Sequence, residues 1–224
     1  MESARTNLSV EIGAGAIPVQ RFEPSNPGPL LVVVPSIFGI SPDVVADAER
    51  FARQGALVYV MDSFWRDAPG PLRIPDEAPA AMQRKRDLGS EDAFSDLLTV
   101  IDAGLQDAHS TGELLLLGIC FGGQFAMRAT QHRAVKGLAV WHGSNLLPWI
   151  SPSALAQTQL SLDFGAADPI IPMDEVDVIR AKLGHPQESV RVHNRAGHGF
   201  SHRGTSKGMD QAADAAVAGV LGLI

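Results

Sequence analysis

The only cysteine in the chain, Cys120, stands in the string Leu114-Leu115-Leu116-Leu117-Gly118-Ile119-Cys120-Phe121-Gly122-Gly123. An apolar run, then Gly-x-Cys-x-Gly, then a segment able to form a helix reads as strand, sharp turn and helix, with a nucleophile at the turn. Gly118 and Gly122 belong to such a turn because a Cβ at either place would collide with neighbouring backbone. The turn strains its central residue and projects the sulfur beside a helix N-terminus, where free N–H groups and the helix dipole favour a thiolate. A thiol attacking a carbonyl needs a base, and the base needs a carboxylate to set its tautomer. Hydrolases with this turn carry them in the chain order nucleophile, acid, base. Asp168 follows the apolar run 160–164 in Gly165-Ala166-Ala167-Asp168-Pro169, and His198 lies in Gly197-His198-Gly199 after Val190-Arg191-Val192. The roles that follow are Cys120 as nucleophile, His198 as base and Asp168 as its orienting acid. Two backbone N–H groups should hold the oxyanion, one from Phe121 and one from Ile37 in Pro35-Ser36-Ile37-Phe38-Gly39.

Those three side chains need a frame. Short apolar runs at 8–12, 19–22, 30–34, 57–61, 114–117, 137–141, 160–164 and 190–192 read as strands, the first two as a hairpin around Gly13 and Gly15. Helical spacing places helices at 42–54, 91–108, 121–131, 173–183 and 206–221. Strands that alternate with helices imply an α/β fold, a mostly parallel sheet with helices on both faces and its reacting groups at the carboxyl ends of the strands. The 224 residues suit one domain spanning 1–224. Asp163, inside a strand, reads as an edge or solvent-facing residue. Of the other histidines, His109, His132, His185, His193 and His202 read as surface or loop residues. His142, in Trp141-His142-Gly143, closes a strand and could line the pocket. Further pocket candidates are Ser36, Phe38, Phe64, Trp65, Arg66, His202 and Arg203.

The net charge of −7, with lysine and arginine scattered, argues against a nucleic-acid partner. No apolar run approaches a membrane span, the first residues do not read as a secretory signal, and a single cysteine fits a reducing cytoplasm. No His/Cys/carboxylate cluster has metal-ligand spacing and no phosphate-binding glycine loop is present, so no metal or other cofactor is expected. The expected partner is a small molecule, and the expected state a monomer or small homo-oligomer.

Along nearly its whole length the chain resembles the dienelactone hydrolase (carboxymethylenebutenolidase) family, within the α/β-hydrolase superfamily. The landmarks are Ile37-Phe38-Gly39, Asp62 with Arg66-Asp67-Ala68-Pro69-Gly70, the Cys120 turn, Asp168 with Pro172, and Gly197-His198-Gly199-Phe200. The resemblance implies a Cys-His-Asp hydrolase that cleaves a small ester or lactone through a thioester acyl-enzyme, and it supports Ile37 and Phe121 as oxyanion donors. There are departures. The family carries Glu immediately before Ile-Phe-Gly, which restrains the thiol; here Ser36 stands there, which should leave Cys120 and His198 as a standing thiolate–imidazolium pair. The family clamps a substrate carboxylate with two arginines. One would fall near Ala81, where Arg84, Lys85 and Arg86 are close by; the other position holds His202, with Arg203 one residue later. The same triad could instead transfer the acyl group to an acceptor other than water, and the departures leave open a ligand-binding relative with a degraded site.

Overall fold

Alternation along the strands decides how the sheet is covered. In β3 (Gly28–Val34) Leu30, Val32 and Val34 pack into one apolar cluster, while Leu31 and Val33 pack into another. A strand buried on both faces reads as an unbroken apolar run, and this one is buried at every position. The computed structural model describes residues 4–13, 15–184 and 186–224. Its sheet has eight strands in the order β1-β2-β4-β3-β5-β6-β7-β8, with β1 (Ala4–Ile12), β2 (Gly15–Glu23), β4 (Leu57–Met61), β5 (Ser110–Ile119), β6 (Gly137–Trp141), β7 (Gln159–Gly165) and β8 (Val190–His193). The β1–β2 hairpin joins antiparallel to β4, and β4 through β8 run parallel.

Helices α1 (Pro42–Arg53) and α7 (Asp210–Leu221) cover one face through Val44, Phe51, Val217 and Val220. The other face is covered by α3 (Ser90–Leu105), α4 (Gly122–Ala129) and α6 (Met173–Leu183), through residues such as Leu97, Ile101, Phe125 and Ile179. The expected α/β-hydrolase layering is present. A helix not expected from the pattern, α2 (Ala78–Asp87), lies between β4 and α3. It buries only Ala81 and Arg84, too few apolar positions to show a stripe, so its periodicity is silent. Helix α5 (Pro152–Leu155) is a single turn. Among the described residues no helix is long and apolar enough to cross a membrane.

Asp163 is a correction. It is fully buried, and its carboxylate accepts from Arg191 Nε and Nη2 at 2.9 and 2.7 Å and lies 2.8 Å from His193 Nε2. The register Asp163↔Arg191 on adjacent parallel strands sets the pair side by side. A buried charge with so complete a set of partners can be retained, where an isolated one could not. His193 and His202 are satisfied groups: His193 partners Asp163, and His202 is 3% exposed with Nδ1 2.9 Å from Asp43. His185 lies outside the described residues.

Candidate active site

The β5–α4 turn carries the sulfur. Cys120 has φ of +53°, in the left-handed region that a side chain adopts at a cost. The turn is held by Cys120 N donating to Trp141 O at 2.9 Å, while Cys120 O accepts from Gly123 N at 3.0 Å and Ser144 N at 3.2 Å. The two glycines are dictated by contact. A Cβ at Gly118 would lie 2.5 Å from Gly123 Cα, and one at Gly122 would lie 2.1 Å from Val34 O and 2.7 Å from Pro35 O. Those obstacles are backbone at the end of β3 and the start of α4, which cannot yield cheaply. Gly122→Ala is expected to cost about 3 kcal/mol or more and to lower Tm by roughly 6–12 °C. Thermal unfolding by circular dichroism checks this, with Gly13→Ala, whose Cβ would meet nothing within 4 Å, as the unaffected control.

The loops after β7 and β8 bring up the other two groups. Asp168 Oδ1 accepts from Ile170 N at 2.8 Å and Ile171 N at 3.1 Å, which leaves Oδ2 aimed at His198 Nδ1, 2.8 Å away. The opposite ring nitrogen, His198 Nε2, is 3.0 Å from Cys120 Sγ. Burial pulls the His198 imidazolium down, but the Asp168 hydrogen bond and the Cys120 sulfur outweigh it, and the pKa is pushed up to about 9. Cys120, His198, Ile37 and Phe121 line one cavity of about 860 Å³. Among the described residues' hydrogen bonds, neither the Ile37 nor the Phe121 amide is given to a protein acceptor.

Other expected pocket residues are placed differently. Phe38 and His202 do line the cavity, with their rings edge to face at 6.0 Å. Ser36 does not; it is 1% exposed, and its hydroxyl accepts from Phe38 N at 3.2 Å, shaping the Ile37 loop from below. Trp65 and Arg66 also turn away: Trp65 Nε1 donates to Asp96 Oδ2 at 2.8 Å and Arg66 Nη2 to Asp96 Oδ1 at 2.6 Å. Asp62 explains their direction, because it accepts from Phe64 N at 3.0 Å and Gly70 N at 2.7 Å and so curls the segment back on itself. Phe64 is buried and stacks on Phe121 at 6.1 Å. His142 lies behind the cavity wall, fully buried, with its ring 5.0 Å from that of His198. Burial, then the neighbouring His198 and His202, push its pKa well below the ordinary range, so it is neutral.

Neither expected arginine reaches the cavity. Arg203 Nη1 donates to both Asp47 oxygens at 2.9 and 3.0 Å and Nη2 to Asp214 at 3.0 Å, tying its loop to α1 and α7. Arg84 is buried, with Nε on Ile37 O at 2.8 Å and Nη1 on Ala68 O and Gly70 O at 3.0 and 2.8 Å. It therefore anchors the Ile37 loop through the Ile37 carbonyl. Arg86 is exposed and bonds Gln83 at 2.5 Å. The cations that line the cavity are Lys85, Arg195 and Lys207, and no carboxylate lines it. Among the described residues none of these three forms an ion pair. Sequence reasoning passed over Arg195 and Lys207, although both flank the His198 loop and that proximity was the available signal.

A strained cysteine after β5, with aspartate and histidine from the loops after β7 and β8, is the arrangement the sequence resemblance implied. The Dienelactone hydrolase family profile matches residues 17–220. The chain belongs to the dienelactone hydrolase family. Carboxymethylenebutenolidase 1 of Cupriavidus pinatubonensis is 24% identical over 188 residues, covering 83% of this chain and 80% of that one. A carboxymethylenebutenolidase of a Pseudomonas species is 23% identical over 181 residues, covering 78% and 74%. Among solved structures, a dienelactone hydrolase-like promiscuous phosphotriesterase from metagenomic libraries superimposes with a TM-score of 0.78 at 18% identity, covering 100% of this chain and 98% of that one. Identity at that level speaks for the fold, and here the fold is that of the α/β-hydrolases.

Proposed function

We propose that this dienelactone hydrolase-family protein hydrolyses small carboxylic esters or lactones through a thioester on Cys120. The observation that carries the reading is the Cys120 Sγ to His198 Nε2 separation of 3.0 Å, with Asp168 at 2.8 Å on the far side of the ring. A thiolate at Sγ attacks the carbonyl carbon, and the resulting oxyanion takes the amide protons of Ile37 and Phe121. The imidazolium of His198 gives its proton to the departing alkoxide as the C–O bond breaks, leaving the thioester. In a lactone the alkoxide stays tethered to the acyl group. Water then attacks the thioester, His198 takes the water proton, and the C–S bond breaks to free the acid and restore the thiolate. Acyl transfer would use the same first half with another nucleophile in place of water. A panel of p-nitrophenyl esters and small lactones tests the reading; absence of turnover on all of them would overturn it.

The substrate is read as carrying an anionic group. Lys85, Arg195 and Lys207 line the cavity without a carboxylate among its walls, in a chain whose net charge is −7. The rest of the lining is partly apolar, including Ile74, Met82 and Ile170, which suits a small organic acyl group. All three cations are exposed, so each contributes only the modest energy of a screened surface charge. Together they are expected to be worth about 10-fold in kcat/KM. Lys85→Gln/Arg195→Gln/Lys207→Gln should show that loss, mostly in KM, on an ester bearing a carboxylate and little on its neutral analogue. Added salt should erode the same preference in the parent protein. Equal losses on both esters would count against the anionic substrate.

A further inference from the structure

The proposed hydrolysis leaves one group beside the sulfur unused. His142 is fully buried, and its Nε2 is 2.7 Å from Ser201 Oγ while its Nδ1 has no hydrogen-bond partner. A ring nitrogen of His142, a ring nitrogen of His198 and Cys120 Sγ all lie within 4.8 Å of one another. Positions 120, 142 and 198 share no ligand spacing, so the expectation of no metal-binding cluster rested on separation along the chain. The carboxyl ends of β5 and β6 and the loop after β8 bring the three together.

We infer that Cys120, His142 and His198 form a three-ligand site for Zn2+ or a similar borderline d-block dication. One sulfur and two imidazoles are the donor set such ions select. Tetrahedral Zn2+ with ordinary bond lengths sets its sulfur roughly 3.6 Å from each nitrogen and the nitrogens roughly 3.4 Å apart. The present separations, from 3.0 Å between Sγ and His198 Nε2 up to the 4.8 Å limit, bracket those values, so side-chain shifts of about an ångström at most complete the set. Outer partners already exist, since the second nitrogen of His198 faces Asp168 at 2.8 Å and that of His142 faces Ser201. Such outer bonds fix the ring orientation of metal-binding histidines. The fourth position opens to the cavity lined by Cys120 and His198. On the proposed mechanism, the ion would occupy the lone pairs that attack the carbonyl and accept the proton, so binding would switch hydrolysis off.

The test uses the full chain, reduced and freed of metal with a chelator. Titration with CoCl2 should produce a thiolate-to-cobalt charge-transfer band at one ion per chain, and ZnCl2 should abolish it by displacement. Cys120→Ser should lose the band. His142→Gln should weaken Zn2+ binding, read by competition with a chromophoric chelator, by about 100-fold or more, because even loss of an outer partner costs 10–100-fold. Ser201→Ala, a milder change, should weaken it by about 10–100-fold and serves if His142→Gln does not fold. Absence of the cobalt band, or a folded His142→Gln that binds Zn2+ as tightly as the parent, overturns the site. The cobalt band is read without substrate, so it stands or falls separately from the hydrolase reading. Zn2+ bound through Cys120 without loss of ester hydrolysis would support the site and count against the triad mechanism.

Discussion

Replacing Cys120 with alanine is expected to lower kcat/KM for ester or lactone hydrolysis by about 10⁵-fold, to the residual level that binding and oxyanion donors alone sustain. The size of the effect follows from what the side chain is asked to do. On the proposed mechanism the sulfur forms the bond that divides one difficult step into two easier ones, and among the described residues it is the group bonded to His198 Nε2, 3.0 Å away. The change removes one sulfur atom from a half-buried side chain while the turn stays tied through Cys120 N to Trp141 O at 2.9 Å. Circular dichroism and Tm should therefore stay close to the parent, which separates lost chemistry from lost fold. The parent, treated with an ester that deacylates slowly, should gain the mass of one acyl group, and Cys120→Ala should gain none. Activity that survives the substitution would remove the thioester from the mechanism.

Asp168→Asn is expected to lower kcat by about 10⁴-fold through the tautomer of His198. Asp168 Oδ1 accepts from the Ile170 and Ile171 amides, and the asparagine carbonyl can keep those bonds. The amide NH2 then faces His198 Nδ1, donor against donor, and turns the ring to the tautomer that cannot take a proton from the substrate side. A charge effect runs alongside. Burial opposes the His198 imidazolium, and the Asp168 hydrogen bond and the Cys120 sulfur overcome it to reach about 9. Since the raised value belongs to a cation, the charged ring persists as pH climbs through neutrality and is lost only near that value. The imidazolium should therefore be present throughout the neutral range in the parent, and the ring-proton NMR shifts of His198 should titrate near pH 9. In Asp168→Asn that hydrogen bond is gone, and the same ring-proton shifts should titrate at a lower pH than in the parent. A parent His198 that titrates at the ordinary imidazole value of about 6.5 would exclude this support from Asp168.

The two substitutions act on residues that the sequence singles out, and the physical reason is local. A nucleophile turn must have glycines where backbone passes within 2.5 Å of the place a Cβ would occupy, and that demand is written into the chain as Gly118 and Gly122. Asp168 and His198, in the loops just past β7 and β8, appear in the chain as polar residues a few positions after an apolar run, His198 between two glycines. Strand existence was equally legible: β3, β4 and β6 are buried at every position, and only apolar residues fill such strands. Family membership came from these same landmarks.

What only the tertiary structure decided is where the long polar side chains go. Arg84, Arg203, Trp65 and Arg66 each looked able to meet a substrate, yet each is spent on the frame, on the Ile37, Ala68 and Gly70 carbonyls, on Asp47 and Asp214, or on Asp96. A side chain with several rotatable bonds reaches partners dozens of residues away, and no local pattern records which one it finds. The same holds for α2, whose place is set by the anchorage of Arg84 more than by an apolar stripe. It holds most strongly for His142, which a strand end places beside Cys120 and His198. Local sequence singled out the candidate groups for reaction, because the geometry of the Cys120 turn is a property of adjacent backbone. The assembled sheet determined which groups stand around them, because neighbours in the site come from strands that are adjacent in space and far apart in the chain.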